Sequence, residues 1–357
     1  MLEAREEGTV LLSTLLVLSL MSAVALALLS TLRLSVARAA ELDAIAQADL
    51  YAQGAQDFVQ SQLDQIAGTD PVLLNARLRE SEVVLLPFEN GQIALTLSDG
   101  THCLRLSALS GSNGVGLSAG ELRLAALVEA VGADAIRARR VAAAATDWVD
   151  RDGQPRPDGA EDGAYMARRP VAYRTANVPM QSVTELRAVE GMDETLFREL
   201  LPHVCIGRPG VTSRFNINSA QARHAPVLAA LLGGGRDAER IATELIAARP
   251  ADGYSKESLA VAPVLEGYEN AAFDPGAITF SPQRVVAEVA VRFGPVERLR
   301  LLAYETQDGE GLDSGRPVLS YRSWGPEEFP SLAWARRAKA ADPAADPATD
   351  PRETRSP

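Results

Sequence analysis

Twenty-four consecutive residues without a charge, Thr9–Leu32, constrain this chain more than any other feature: TVLLSTLLVLSLMSAVALALLSTL. As a helix they extend about 36 Å, enough to cross a hydrocarbon core of about 30 Å with some tilt. A cleaved secretory signal is the competing reading, and Ala37-Arg38-Ala39 supplies an A-x-A site. Two features weigh against it. The apolar run is longer than the usual core of about 7–15 residues, and the residues before it (Glu3, Arg5, Glu6, Glu7) are more acidic than basic. Arg5 precedes the span while Arg33 and Arg38 follow it, so charge alone leans weakly against a cytoplasmic N-terminus.

The helical pattern continues past the apolar run. From Arg33 to Ile66 there is no proline, and only Gly54 interrupts the propensity. Leu34, Leu42, Ile45, Leu50, Tyr51, Phe58, Val59, Leu63 and Ile66 recur mostly at spacings of three, four or seven. Gly68 and Pro71 end the pattern. A single helix of roughly 58 residues, about 85 Å long, is predicted.

Beyond it, 81–88, 92–99 and 103–109 read as antiparallel strands, with Asn90-Gly91 and Asp99-Gly100 as turn signals. From Ser118 to about Ala272 the texture is helical, with alanine-rich runs at 119–131, 133–147, 182–190, 193–204, 219–232 and 236–248. Strand character returns at 277–280, 284–293 and 297–305. The predicted fold class is α+β. A long N-terminal helix packs on a small antiparallel sheet, and a large all-α domain is inserted into that sheet. Residues 336–357 contain ADPAADPATDPRETRSP, which has no large apolar residue to bury and reads as a disordered tail.

The 357 residues suffice for about two domains. A net charge of −12 removes the usual electrostatic basis for binding nucleic acid. Two cysteines exclude a disulfide framework and a four-thiolate zinc site. The three histidines, His102, His203 and His224, show no metal spacing. No G-x-S-x-G, H-E-x-x-H or Walker A set stands in the context its chemistry needs, so the chain does not read as an enzyme and no small-molecule substrate is implied. A carboxylate-pair hydrolase is the one enzymatic alternative, and 5% aromatic residues argue against the sugar cleft it needs.

The densest chemistry is Asp147-Trp148-Val149-Asp150-Arg151-Asp152, followed by Asp158, Glu161 and Asp162: six carboxylates against Arg151 and Arg156. Counted from Asp150 as a calcium loop, oxygen ligands fall at Asp150, Asp152, Gln154, Asp158 and Glu161, with the Arg156 carbonyl at the seventh position. Pro155 stands where an EF-hand requires glycine, which excludes the regular motif. An oxygen-rich cation loop and a solvated acidic loop remain as equal readings. Farther on, Leu186, Val189, Gly191 and Met192 have the spacing of a helix-hairpin-helix. Glu190, Asp193 and Glu194 crowd its turn and would repel phosphate, which favours a packing role. Cys103 and Cys205 read either as a disulfide or as two separate buried thiols.

A short polar leader ending in Gly8, then an apolar helix leading into a globular head, resembles the type IV pilin and pseudopilin pattern. That resemblance implies cleavage by a prepilin peptidase between Gly8 and Thr9, methylation of the new N-terminus, and a single-pass inner-membrane anchor with a periplasmic head. Pilins carry Glu at the fifth mature position, where this chain has Ser13. That departure, the inserted α domain and the D-W-x-D-x-D … G-A-E-D pattern resemble the minor pseudopilin K family of type II secretion (general secretion pathway protein K). The resemblance covers about Gly8 to Glu305. It implies a leader at 1–8, a membrane part at 9–32, a pseudopilin unit at 33–110 and 276–335, and an inserted domain at 111–275. It also implies structural calcium held by Asp147, Asp150, Asp152, Glu161 and Asp162. The implied partners are the minor pseudopilins I and J, packing on Leu42, Ile45, Phe58 and Leu63, and the implied role is a cap that starts pseudopilus assembly. A membrane-anchored, calcium-dependent periplasmic binding protein is the alternative.

Overall fold

The computed structural model describes residues 3–66, 68, 70–111, 118–208, 211–268, 273–306, 311–312 and 317–324. The expected disordered tail, 336–357, lies outside them. The first element is one unbroken helix, α1 (Glu3–Ile66), of 64 residues, hence about 96 Å long. Among the described residues it is the one helix long and apolar enough to cross a membrane. Hydroxyls inside the apolar half satisfy themselves against the preceding turn, as in Ser13 to the Val10 carbonyl and Ser22 to the Leu18 carbonyl, both at 2.8 Å. No polar hydrogen is left exposed there by these residues.

Past Leu42 the helix acquires a buried seam of Ala48, Ala52, Ala55, Val59 and Leu63, at intervals of four, three, four and four. The small residues let the helix axis approach the sheet closely. The sheet has five antiparallel strands in the order β1 (Val83–Phe88), β2 (Gly91–Asp99), β7 (Arg284–Phe293), β8 (Val296–Thr306) and β9 (Pro317–Trp324). Alternation assigns its faces: Ile93, Leu95, Val285, Ala287, Val289, Val291, Leu302 and Tyr304 cover α1. Ala94, Ala290 and Leu301 lie on the opposite face. Pro71, expected only to stop the first helix, opens a second one, α2 (Pro71–Glu80), capped by Asp70 Oδ1 accepting from Val72 N at 2.8 Å.

The helical insert leaves the sheet at Gly100, whose N–H donates to the Arg284 carbonyl at 2.9 Å, and returns at Arg284. Its elements are β3 (Leu104–Arg105), α3 (Ala119–Ala130), α4 (Ala135–Val149), α5 (Asp162–Met166) and α6 (Glu194–Leu200). They continue through β4 (Val204–Cys205), β5 (Phe215–Asn216), α7 (Ala225–Leu231), α8 (Gly235–Ala247), α9 (Lys256–Ala260) and β6 (Ile278–Thr279). The expected strand 103–109 is therefore corrected. Only two of its residues pair, in parallel with Val204–Cys205, and Leu106–Gly111 is a 3₁₀ helix. Leu104, Leu106 and Leu109 alternate because they pack beneath the helices, not because they join the sheet. The insert thus spans about 100–283 rather than 111–275.

Side-chain contacts fix which end of α1 carries this insert. Tyr51 stacks on Phe88 and lies 6.0 Å from Phe293, so the β1–β2 and β7–β8 turns point toward the apolar half of the helix. At the opposite end Gln60 Nε2 donates to the Pro317 carbonyl at 2.9 Å, and Gly68 N donates to the Leu312 carbonyl at 3.3 Å. Asp99, Gly100 and Arg284 sit at that second end, paired through β2 and β7. The insert is mounted beyond the C-terminal end of α1, away from the apolar half.

Candidate metal centre

The acidic loop follows from where α4 stops. Asp150 ends the helix, its N–H still bonded to the Thr146 carbonyl at 3.0 Å, and the chain then loops to Glu161, which precedes α5. Asp150, Asp152 and Glu161 each present a carboxylate oxygen, and the three oxygens lie within 4.8 Å of one another. Asp150 and Glu161 are each 7% exposed, and Asp152 is exposed. Asp150 Oδ1 and Glu161 Oε1 are buried with no hydrogen-bond partner. Burial, reinforced by neighbouring Asp152, pushes the Asp150 carboxyl up from its ordinary range; burial and Asp150 do the same to Glu161.

Two of the five expected ligands are placed elsewhere. Asp147 is fully buried behind the trio, and its two oxygens accept from Arg156 N at 3.3 and 3.1 Å. Burial, with the Asp150 and Glu161 charges adding to it, raises its carboxyl to about 7. Asp162 turns away: it accepts from Thr175 N and Oγ1, both at 3.0 Å, and from Arg174 at 3.0 Å. Those hydrogen bonds from Thr175 hold its carboxyl below the usual range. Asp147 closes the loop and Asp162 anchors its far end, which is why neither joins the trio.

Sequence reasoning counted Arg156 against the loop but missed Glu121. Arg156 reaches Asp147 Oδ1 at 3.5 Å, and Asp150 Oδ2 and Glu121 Oε2 both at 3.6 Å. Glu121 comes from the first turn of α3, about thirty residues earlier in the chain, so no local spacing reveals it. An all-oxygen donor set with orphaned, buried carboxylate oxygens suits a hard divalent cation, whose calcium–oxygen distances are about 2.3–2.6 Å. Asp150, Asp152 and Glu161 would hold it, and it would neutralise charge that Arg156 offsets only in part.

The other singled-out residues fall in three places. Cys103 and Cys205 form a disulfide, tying β3 to β4. His102, His203 and His224 line one cavity of about 580 Å³ between the sheet and the insert, and the His102 and His224 rings stack at 4.1 Å. On the expected partner face, Leu42 is 66% and Phe58 39% exposed. Leu63 is a correction: it is fully buried against the chain's own sheet, as the last residue of the α1 seam, and Ile45 is half-buried against the same core. The hairpin at Gly191 is a packing unit, since Arg137 of α4 donates to its carbonyl at 3.1 Å and pairs with Asp193 at 2.6 Å.

A long helix with an apolar N-terminal half, laid on an antiparallel sheet that carries an α domain with an acidic loop, defines the class of minor pseudopilins. Residues 102–208 and 215–278 match the family described as Type II secretion system (T2SS), protein K. The type II secretion system protein K of Klebsiella pneumoniae is 34% identical over 297 residues, 81% of this chain and 89% of that one. Its counterpart from Aeromonas hydrophila is 31% identical over 266 residues, 71% of this chain and 78% of that one. The fold matches a chain in the crystal structure of the GspK-GspI-GspJ complex from enterotoxigenic Escherichia coli, with a TM-score of 0.68 and 23% identity, covering 81% of this chain and 99% of that one. The chain belongs to the type II secretion system protein K family.

Proposed function

We propose that this chain caps the tip of the type II secretion pseudopilus and helps start its assembly for protein export across the outer membrane. The observation that carries the reading is the position of the insert beyond the C-terminal end of α1. Subunits of such a filament stack through parallel helices, each new one entering from the membrane side. Bulk at the far end clashes with a neighbour above and leaves the side below free. Ser13 supports the same reading. Its hydroxyl is satisfied within its own helix, so it needs no partner from a subunit above, unlike the carboxylate that pilins carry there.

In this reading α1 anchors the protein once in the inner membrane with the head in the periplasm, after prepilin peptidase cleaves between Gly8 and Thr9. The exposed Leu42, Leu50 and Phe58 face the minor pseudopilins I and J. The chain does no chemistry on a substrate. Calcium at Asp150, Asp152 and Glu161 stabilises the inserted domain. Deleting 101–282 and rejoining β2 to β7 tests the steric part. The truncated subunit should enter the membrane and be found along the shaft; retention at tips alone would overturn the steric account.

A further inference from the structure

The divalent site has two sides. Asp152 and Glu161 lie on one, and Glu121 and Asp147 on the other, with Asp150 between them: its Oδ2 faces Arg156 and its Oδ1 has no partner. The Arg156 guanidinium meets the second side with all three of its nitrogens: Nε to Asp147, Nη1 to Glu121 and Nη2 to Asp150. These carboxylates come from three places in the chain, the first turn of α3, the last turn of α4 and the residue that ends α4.

Each of these distances, 3.5–3.6 Å, exceeds the roughly 2.7–2.9 Å of a tight charge-assisted hydrogen bond. One cation is shared among three carboxylates. Its position is nonetheless fixed. Pro155 and Pro157 flank it and restrict the backbone on both sides. Its own N–H bonds to Asp147, and the guanidinium is mostly buried, at 12% side-chain exposure. Gly159 completes the fit, because a Cβ there would stand 2.0 Å from Asp147 Oδ2.

We propose that Arg156 is the resident cation of this site: it holds Glu121, Asp147 and Asp150 in place without a divalent ion, and sets the ion's affinity by competing for Asp150. The proposal rests on the divalent-cation reading above. A purely structural arginine and a competing one differ in sign. Removing a structural anchor loosens the loop and weakens ion binding. Removing a competitor deepens the negative field at Asp150 and strengthens binding, even as the ion-free protein loses stability.

The test is calcium titration calorimetry on the full chain in detergent, paired with melting in EGTA and in calcium. Arg156→Gln should bind calcium about tenfold more tightly than the parent, from loss of one positive charge a few ångströms from the ion. It should melt lower in EGTA and show a larger calcium-induced rise. Should Arg156→Gln fail to fold in EGTA, Arg156→Lys keeps the charge with a single prong. It should stay folded in EGTA but melt below the parent, with affinity between the parent's and tenfold tighter. Asp152→Asn, which removes an exposed ligand that is not among the Arg156 pairs and one charge that repels Asp150, should lose calcium binding while melting no lower than the parent in EGTA. Arg156 variants that bind calcium no more tightly than the parent overturn the role given to Arg156 and leave the calcium reading standing. A parent chain that binds no calcium overturns both.

Discussion

Asp147 and Gly159 show how finely one residue is fitted to another in the acidic loop. Gly159→Ala places a methyl carbon on a carboxylate oxygen. It should cost roughly 1–3 kcal/mol, read as a lowered melting temperature, because the buried Asp147 has nowhere to move. The histidines give a pH dependence. His102, His203 and His224 are each held below the ordinary histidine value, chiefly by burial, and in His224 also by its stacked neighbour His102. A lowered folded-state value means that the unfolded chain takes up protons first. The stability from these groups is fully present above about pH 6.5 and is lost as the pH falls below it, by up to roughly 1.4 kcal/mol per unit for each group. Carboxylates raised by burial, such as Asp147, run the opposite way, so the difference between variants is the clean reading. His203→Gln should flatten the fall in stability between pH 6.5 and 5, measured by denaturant titration at each pH. At this scale the sequence exposed residue types and not directions. Asp150, Asp152 and Glu161 stand out by spacing, yet nothing local distinguishes them from Asp147, on the inner face of α4, or from Asp162, drawn off by Thr175.

The long helix and most strands were legible because their periodicities run over many residues. What escaped was the identity of the seam. Reading large apolar residues along α1 took in Val59 and Leu63 of the seam together with Leu42, Leu50 and Phe58, which are exposed, and passed over Ala48, Ala52 and Ala55, which complete the contact with the sheet. Ala52→Leu should destabilise the head by about 1–3 kcal/mol through overpacking, whereas Leu50→Ala should leave its melting temperature nearly unchanged. Segment 103–109 misled for a related reason. Alternation over few residues marks burial on one side, and a strand is only one way to produce it. Pro71 was read as a stop, although proline is equally suited to the first turn of a helix, and Asp70 before it supplies the cap.

For the whole molecule, the decisive feature is the junction between sheet and insert. Asn216, from β5, donates to Asp99 Oδ2 and Asn75 Oδ1, both at 2.7 Å, joining the insert to β2 and α2 in one buried network. Asn216→Ala leaves two buried acceptors short of a donor. It should cost about 1–3 kcal/mol and raise protease sensitivity near Gly100 and Arg284. No pattern in the chain announces this network, since Asn216 lies more than a hundred residues from both Asn75 and Asp99. Its consequence is that the insert is held firmly beyond the end of α1, which in the proposed cap is where a subunit above would have to sit. The most direct measurement is therefore the position of the intact chain in assembled pseudopili, by gold labelling of an epitope in the insert. Label confined to the end farthest from the membrane, about one per filament, is the expected result. Label repeated along the shaft would contradict the cap.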